Sequence, residues 1–76
     1  MNKVKYPVVF YPAEGGGYVA EISSFKGCLA QGETLDETLA ELETVAELWL
    51  ETARRNGETV PDAKKEFEVI RQKLAA

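Results

Sequence analysis

From Val4 to Tyr11 the chain reads VKYPVVFY, and an alternation of two places Val4, Tyr6, Val8 and Phe10 on one face. β-Branched and aromatic residues at that period predict a strand. Pro7 has no backbone donor, which assigns this strand to a sheet edge or a bulge. PAEGGG follows, and its glycines Gly15 to Gly17 suit a hairpin reversal. A second strand, YVAEIS, carries Tyr18, Ala20 and Ile22 on one face and Val19, Glu21 and Ser23 on the other. SFKG makes a bend, and a third strand, CLAQ, ends at Gly32. Such short connections predict an antiparallel meander.

The pattern then changes period. Leu35, Leu39, Leu42, Ala46, Trp49 and Ala53 recur at helical spacing and form one apolar stripe. Thr34 followed by Glu37 predicts a capping box in which the carboxylate returns to the Thr34 amide. Asp36 and Glu37 at the start and Arg54 and Arg55 at the end complement the helix dipole, and Asn56-Gly57 stops the helix. ETVPD reads as a turn or linker. Beyond it, Ala63, Phe67, Ile70 and Leu74 fit a short helix, whereas EFEVIR read alone fits a strand with Phe67 and Val69 on one face. The fold class expected is α+β, a two-layer, three-stranded antiparallel sheet covered by one long helix, with a short C-terminal helix or strand.

Composition narrows what such a unit does. The chain has 76 residues and a net charge of −4. That length suits one small domain whose core is marginal, so a second copy or a partner would help it. With no histidine and one cysteine, Cys28, the chain can form no internal disulfide and no His/Cys zinc site. An acidic balance argues against direct nucleic-acid binding. Apolar runs are too short to cross a membrane, and MNKVKYPVVFYP lacks a secretion signal's apolar core, so the expected compartment is a reducing cytoplasm. No cofactor is expected.

Seven carboxylates lie between Glu33 and Glu51 without one basic residue. On a helical wheel Asp36, Glu37, Glu41, Glu43, Glu47 and Glu51 fall away from the Leu39/Leu42/Trp49 stripe, as a solvated face would. A face this negative also attracts a basic partner and speeds its association. Gly15 to Gly17 lack the lysine and hydroxyl of a phosphate loop and join two strands, so a hairpin tip is the better reading. Cys28 has no histidine to activate it and is expected to be packing. Val45 and Leu48 on one flank and Leu50 on the other widen the helix's apolar sector to roughly 200°, against the ~100° that covers a sheet. One sheet face, with Val9 and Tyr11, is left to be covered by the C-terminal segment or by another body.

These residues carry a resemblance. The opening Tyr6-Pro-Val-Val-Phe10, the Gly16-Gly-Tyr18 hairpin exit, the G-C-x-x-Q-G-E-T-x-x-E block from Gly27 to Glu37, the Glu47-Leu-Trp-Leu-Glu51 helix and the G-E-x-V-P ending at Pro61 together resemble the N-terminal domain of HicB-like antitoxins. The resemblance implies a β-β-β-α unit similar to a reduced RNase H fold. The expected domain covers residues 1–61. Many members of that family carry a C-terminal DNA-binding domain, but the tail over residues 62–76 is too short for a helix-turn-helix, so none is expected here. The resemblance also implies a partner: a small basic HicA-type toxin that cleaves RNA and is blocked by the antitoxin. Assembly as a homodimer or homotetramer is expected with it. Where the family usually has a Pro-Asp-x-Pro bend, this chain has Ser23-Ser24-Phe25-Lys26, which predicts a looser bend.

The reading that follows is a non-enzymatic binding protein with no catalytic, cofactor-binding or metal-binding residues. Glu37, Glu41 and Glu47 on the helix and Phe25 and Lys26 in the bend are the expected partner contacts. Gly27, Gly32 and Trp49 are expected to be structural. The alternative is a structural oligomerisation module, or an orphan relative without a toxin. A metal-dependent hydrolase is disfavoured because the strands offer only Glu21 as a carboxylate.

Overall fold

Positive φ values of 84°, 110° and 78° at Gly15, Gly16 and Gly17 turn the chain back on itself. The reversal is closed by the Ala13 amide donating to the Gly17 carbonyl at 3.0 Å and the Gly16 amide donating to the Ala13 carbonyl at 3.2 Å. It joins β1 (Val9–Pro12) to β2 (Tyr18–Glu21), and β3 (Leu29–Gly32), α1 (Leu35–Arg55) and α2 (Ala63–Ala75) follow. These elements come from a computed structural model that describes residues 4–75. Met1 to Lys3 of the expected 1–61 unit and Ala76 of the expected tail lie outside the described residues.

The three strands form one antiparallel sheet in the order β1-β2-β3. This is the α+β meander that the alternation predicts, with shorter strands. The ladder of β1 begins only at Val9, beyond Pro7, which has no donor to give it. Val4, Tyr6 and Val8 still turn inward against the core. Register aligns Phe10, Ala20 and Ala30 on the inner face and Tyr11, Val19 and Gln31 on the outer face. α1 covers the inner face, chiefly over β3 and β2. Ala20, Ile22, Phe25, Cys28, Ala30, Leu42 and Ala46 make the core.

α1 starts and stops as its ends dictate. The Glu37 amide donates to Thr34 Oγ1 at 3.1 Å, while the Glu37 carboxylate accepts from the Glu33 amide, also at 3.1 Å, one residue before the donor expected. At the other end the Glu58 amide donates to the Ala53 carbonyl at 2.9 Å and the Gly57 amide to the Arg54 carbonyl at 3.1 Å. That pair is a Schellman motif, made possible by Gly57 at φ 68°. Val45 and Leu50 pack against the core, so of the wide apolar sector Leu48, at 60% exposed, and Leu35 at the helix start, at 49%, remain open.

The tail is a helix. The Asp62 carboxylate accepts from the Lys64 amide at 2.9 Å and the Asp62 carbonyl from the Glu66 amide at 3.1 Å, so Asp62 is an N-cap. That cap decides between the two periods that the tail's apolar residues allow. α2 buries none of its residues and does not lie over the sheet, so the outer face stays open.

β3 and α1 meet where no side chain fits. A Cβ on Gly32 would lie 2.6 Å from the Thr38 nitrogen and 2.7 Å from its hydroxyl. Thr38 is itself fully buried and satisfied, its hydroxyl donating to the Thr34 carbonyl at 2.6 Å. Gly32→Ala should therefore lower unfolding stability by about 1–3 kcal/mol, the usual cost of overpacking. Urea denaturation would show a lower midpoint with the same slope; an unchanged midpoint would mean that the first turn of α1 yields freely.

Candidate functional site

The Ser23–Gly27 bend has no proline, yet it is not loose. The Phe25 amide donates to the Ile22 carbonyl at 3.0 Å and the Cys28 amide to the Phe25 carbonyl at 3.1 Å, while the Ile22 amide donates to the Cys28 carbonyl at 3.2 Å. These bonds drive Phe25 inward, where its ring stacks on Trp49 (centroids 4.1 Å, planes 3° apart) and meets Tyr6 at 4.4 Å with a tilt of 59°. Trp49 Nε1 donates to the Lys26 carbonyl at 3.0 Å, fixing the bend to α1. Phe25 is 1% exposed, so the expectation that it contacts a partner is corrected: its ring is an anchor of the core. Lys26 keeps its side chain outside, beside a shallow depression bordered by Val45 and Leu48.

The acidic residues divide between two places. Glu37 and Glu41 border an open groove of about 600 Å³ between the hairpin and the start of α1, and Glu14 and Glu33 border the same groove. Sequence spacing along α1 brings Glu37 and Glu41 together but misses Glu14, which arrives from the β1-β2 turn. Glu47 lies apart, at a groove of about 370 Å³ between the Val4–Tyr6 segment, α1 and the linker to α2. Glu43 borders that second groove and is half-buried, which corrects its placement on a fully solvated face. Glu51 pairs with Arg55 at 2.7 Å. Glu41 and Glu47 have no ion pair among the described residues, and both are exposed.

A third surface is apolar. Val9, Tyr11 and Leu29 stand on the outer face of the sheet, with Tyr11 44% and Leu29 51% exposed. The Tyr11 hydroxyl donates to the Glu21 carboxylate beside them, and this bond to a negative acceptor raises the phenol above its usual pKa. Here, among the described residues, no group of three or more His, Cys, Asp or Glu side chains is placed to hold a metal ion. No described helix is long and apolar enough to cross a membrane.

Sheet, covering helix and bend together occupy the part of the chain that known sequences share, since the family described as UPF0150-like matches residues 1–61. The chain belongs to the UPF0150 family. A UPF0150 protein of Synechocystis is 51% identical over 73 residues, spanning 96% of this chain and 100% of the relative. That match extends past residue 61 into α2. A second Synechocystis UPF0150 protein is 41% identical over 51 residues, covering 67% of this chain and 74% of its own. A UPF0150 protein of Thermoplasma acidophilum is 29% identical over 58 residues, 76% of this chain and 84% of the relative.

Cys28 in this UPF0150 chain is 1% exposed, and burial pushes its thiol pKa up. A raised folded-state value keeps the proton on Cys28 at pH values where the unfolded thiol, at about 8.5, has lost it. Folded protein then binds more protons than unfolded, so this contribution is complete below that pH and is lost as pH rises through the folded value. Urea midpoints measured from pH 7 to pH 10 should fall at the alkaline end, and the fall should be smaller in Cys28→Ala.

Proposed function

We propose that the chain is a non-enzymatic antitoxin that neutralises a small, basic, RNA-cleaving toxin of the HicA type by covering its surface. The observation that carries this reading is the set of exposed carboxylates on α1, with Glu37 and Glu41 at one groove and Glu47 at another, on a helix whose opposite side is packed on the sheet. The resemblance to HicB-like antitoxins over Tyr6 to Pro61 supports it. Unlike charges across such a face would accelerate encounter and orient the partner, and truncating them would act mainly on the association rate. Lys26 would contribute at the rim, and the core-bound Phe25 would act only by holding the bend in place. The partner would be met in the cytoplasm, where Cys28 remains a thiol.

A basic chain encoded beside this one is the natural binding candidate, and co-expression with pull-down tests the pairing directly. Given a complex, the triple variant Glu37→Lys/Glu41→Lys/Glu47→Lys should weaken binding at least about tenfold, equivalent to ~1.4 kcal/mol. It should also flatten the loss of affinity with added salt, because screening acts on the charges removed. Isothermal titration at two salt concentrations reads both quantities. Equal affinity of the triple variant would exclude the acidic face as the contact.

A further inference from the structure

We infer that the free edge of β3 is a docking site for an extended segment of a basic protein, which joins the sheet as a further strand through main-chain hydrogen bonds. Bonds just outside the strands fix which backbone groups face outwards. The Ile22 amide donates to the Cys28 carbonyl, so these two residues are a hydrogen-bonded pair. Such pairs alternate along an antiparallel ladder, and Ala20 with Ala30 and Tyr18 with Gly32 are bonded in the same way. Leu29 and Gln31 lie between them and turn their N–H and C=O groups away from β2. β3 ends the strand order, so no described strand takes these groups. At the opposite edge the Ala13 amide donates to the Gly17 carbonyl, which gives Val9 and Tyr11 to β2 and leaves Phe10 and Pro12 facing outwards. Pro12 has no donor, so β1 is blunted as sheet edges commonly are. β3, with the sequence LAQG, has neither proline nor charge to guard it.

The surroundings of this edge define the strand it takes. Gln31, Gly32 and Glu33 border the groove that also has Glu14, Glu37 and Glu41 on its walls, and no basic residue borders it. At the other end of β3, Leu29 is 51% exposed, and Lys26 ahead of it lies by the depression of Val45 and Leu48. An incoming strand therefore meets carboxylates at one end and apolar side chains at the other. Antiparallel pairing continues the sheet and is the more stable arrangement per residue. It puts the N-terminal residues of the incoming strand beside Glu33, so that end is basic, and β-branched residues follow it along Leu29. Main-chain bonds then supply affinity, while the charged end supplies orientation. A second copy of this chain does not meet that description. Lys26 is the one basic residue from residue 6 to residue 53, a stretch that contains all three strands, so none of them can carry positive charge to the groove. The identity of the basic protein rests on the toxin reading above, whereas the strand-pairing mode rests on the backbone of β3.

The probe is a blocked peptide, Lys-Arg-Val-Thr-Val-Thr, titrated to millimolar concentration into the full chain and followed by NMR. The amide protons of Leu29 and Gln31 should move downfield and exchange more slowly with water, while that of Ala30, already bonded to β2, changes little. N-methylation of both valines removes the donors that face β3 without altering charge, and should abolish these effects. Replacing the two basic residues by glutamate should weaken binding at least about tenfold. In the chain, Gln31→Pro removes an outward donor and leaves the β2 ladder untouched, so it should weaken the peptide about tenfold, the effect of one lost hydrogen bond. Slow exchange retained at Ala30 shows that the sheet is intact. Gln31→Lys, at an exposed position, keeps the backbone donor and should weaken the peptide through charge, which covers the case of a proline variant that does not fold. Unmoved Leu29 and Gln31 amides overturn the proposal. So does equal binding of the N-methylated peptide, which means attraction by charge alone, or equal binding of the acidic one. Leu29 and Gln31 amides already slow to exchange in the chain alone would also overturn it, showing that a second copy covers the edge. Co-expression separates the two readings: no complex defeats the toxin reading and leaves the peptide result to decide this one, whereas a complex unaffected by Gln31→Pro defeats the strand docking alone.

Discussion

The ring of Phe25 holds together parts of the chain that are distant in sequence. It lies between Tyr6 of the N-terminal segment and Trp49 of α1, while the Lys26 carbonyl next to it accepts the indole N–H. Tyr6 carries the connection one step further, through its hydroxyl to the Pro61 carbonyl in the linker. A buried phenylalanine is worth roughly 1.5–3 kcal/mol by area, which is a large share of the stability of a domain this small. Here it also sets the geometry: with Phe25 seated, the bend is pinned, β3 is aimed along α1, and the linker leaves on the helix side of the sheet.

That geometry sorts the surface by chemistry. One layer of helix on one small sheet can bury only the inner side of each strand, so Ala20, Ile22 and Ala30 vanish into the core while their neighbours Val9, Tyr11 and Leu29 stay in contact with water. Most carboxylates of α1 collect on its side away from the sheet, where they stay in water, with Glu43 half-buried at the edge of a groove. The chain thus presents an acidic side and an apolar side on opposite faces of a thin body. Each is suited to a different kind of partner, and neither obstructs the other.

Much of this was legible in the residues. Alternation in three short segments, the glycine run, the Thr34 cap and the Asn56-Gly57 stop are local signals, and local signals survive folding because they depend on a few adjacent dihedrals and hydrogen bonds. Strand ends were less legible, since the ladder of β1 depends on which donors face β2, and Pro7 offers none. The site was legible in part. Glu37 and Glu41 share a helix and so their proximity follows from spacing. Glu14 joins them only because the β1-β2 turn borders the same groove as the start of α1, a juxtaposition of segments with no common period.

By itself, then, the sequence determined the order of the elements, the capping of α1, the face that α1 turns to the sheet and the concentration of charge on its opposite side, all consequences of short-range periodicity. Tertiary structure decided what periodicity cannot reach. It drew Phe25 inward, because a ring between Tyr6 and Trp49 gains more than one left in water, although an aromatic residue in a polar bend reads equally well as a contact. It required glycine at position 32, because the backbone of β3 approaches Thr38 within the radius of a methyl group. It also decided where the tail begins: the Tyr6 hydroxyl holds the Pro61 carbonyl, and Val60 and Ala63 border a groove with Ala46 and Leu50 of α1, so α2 starts beside α1 and not over the sheet.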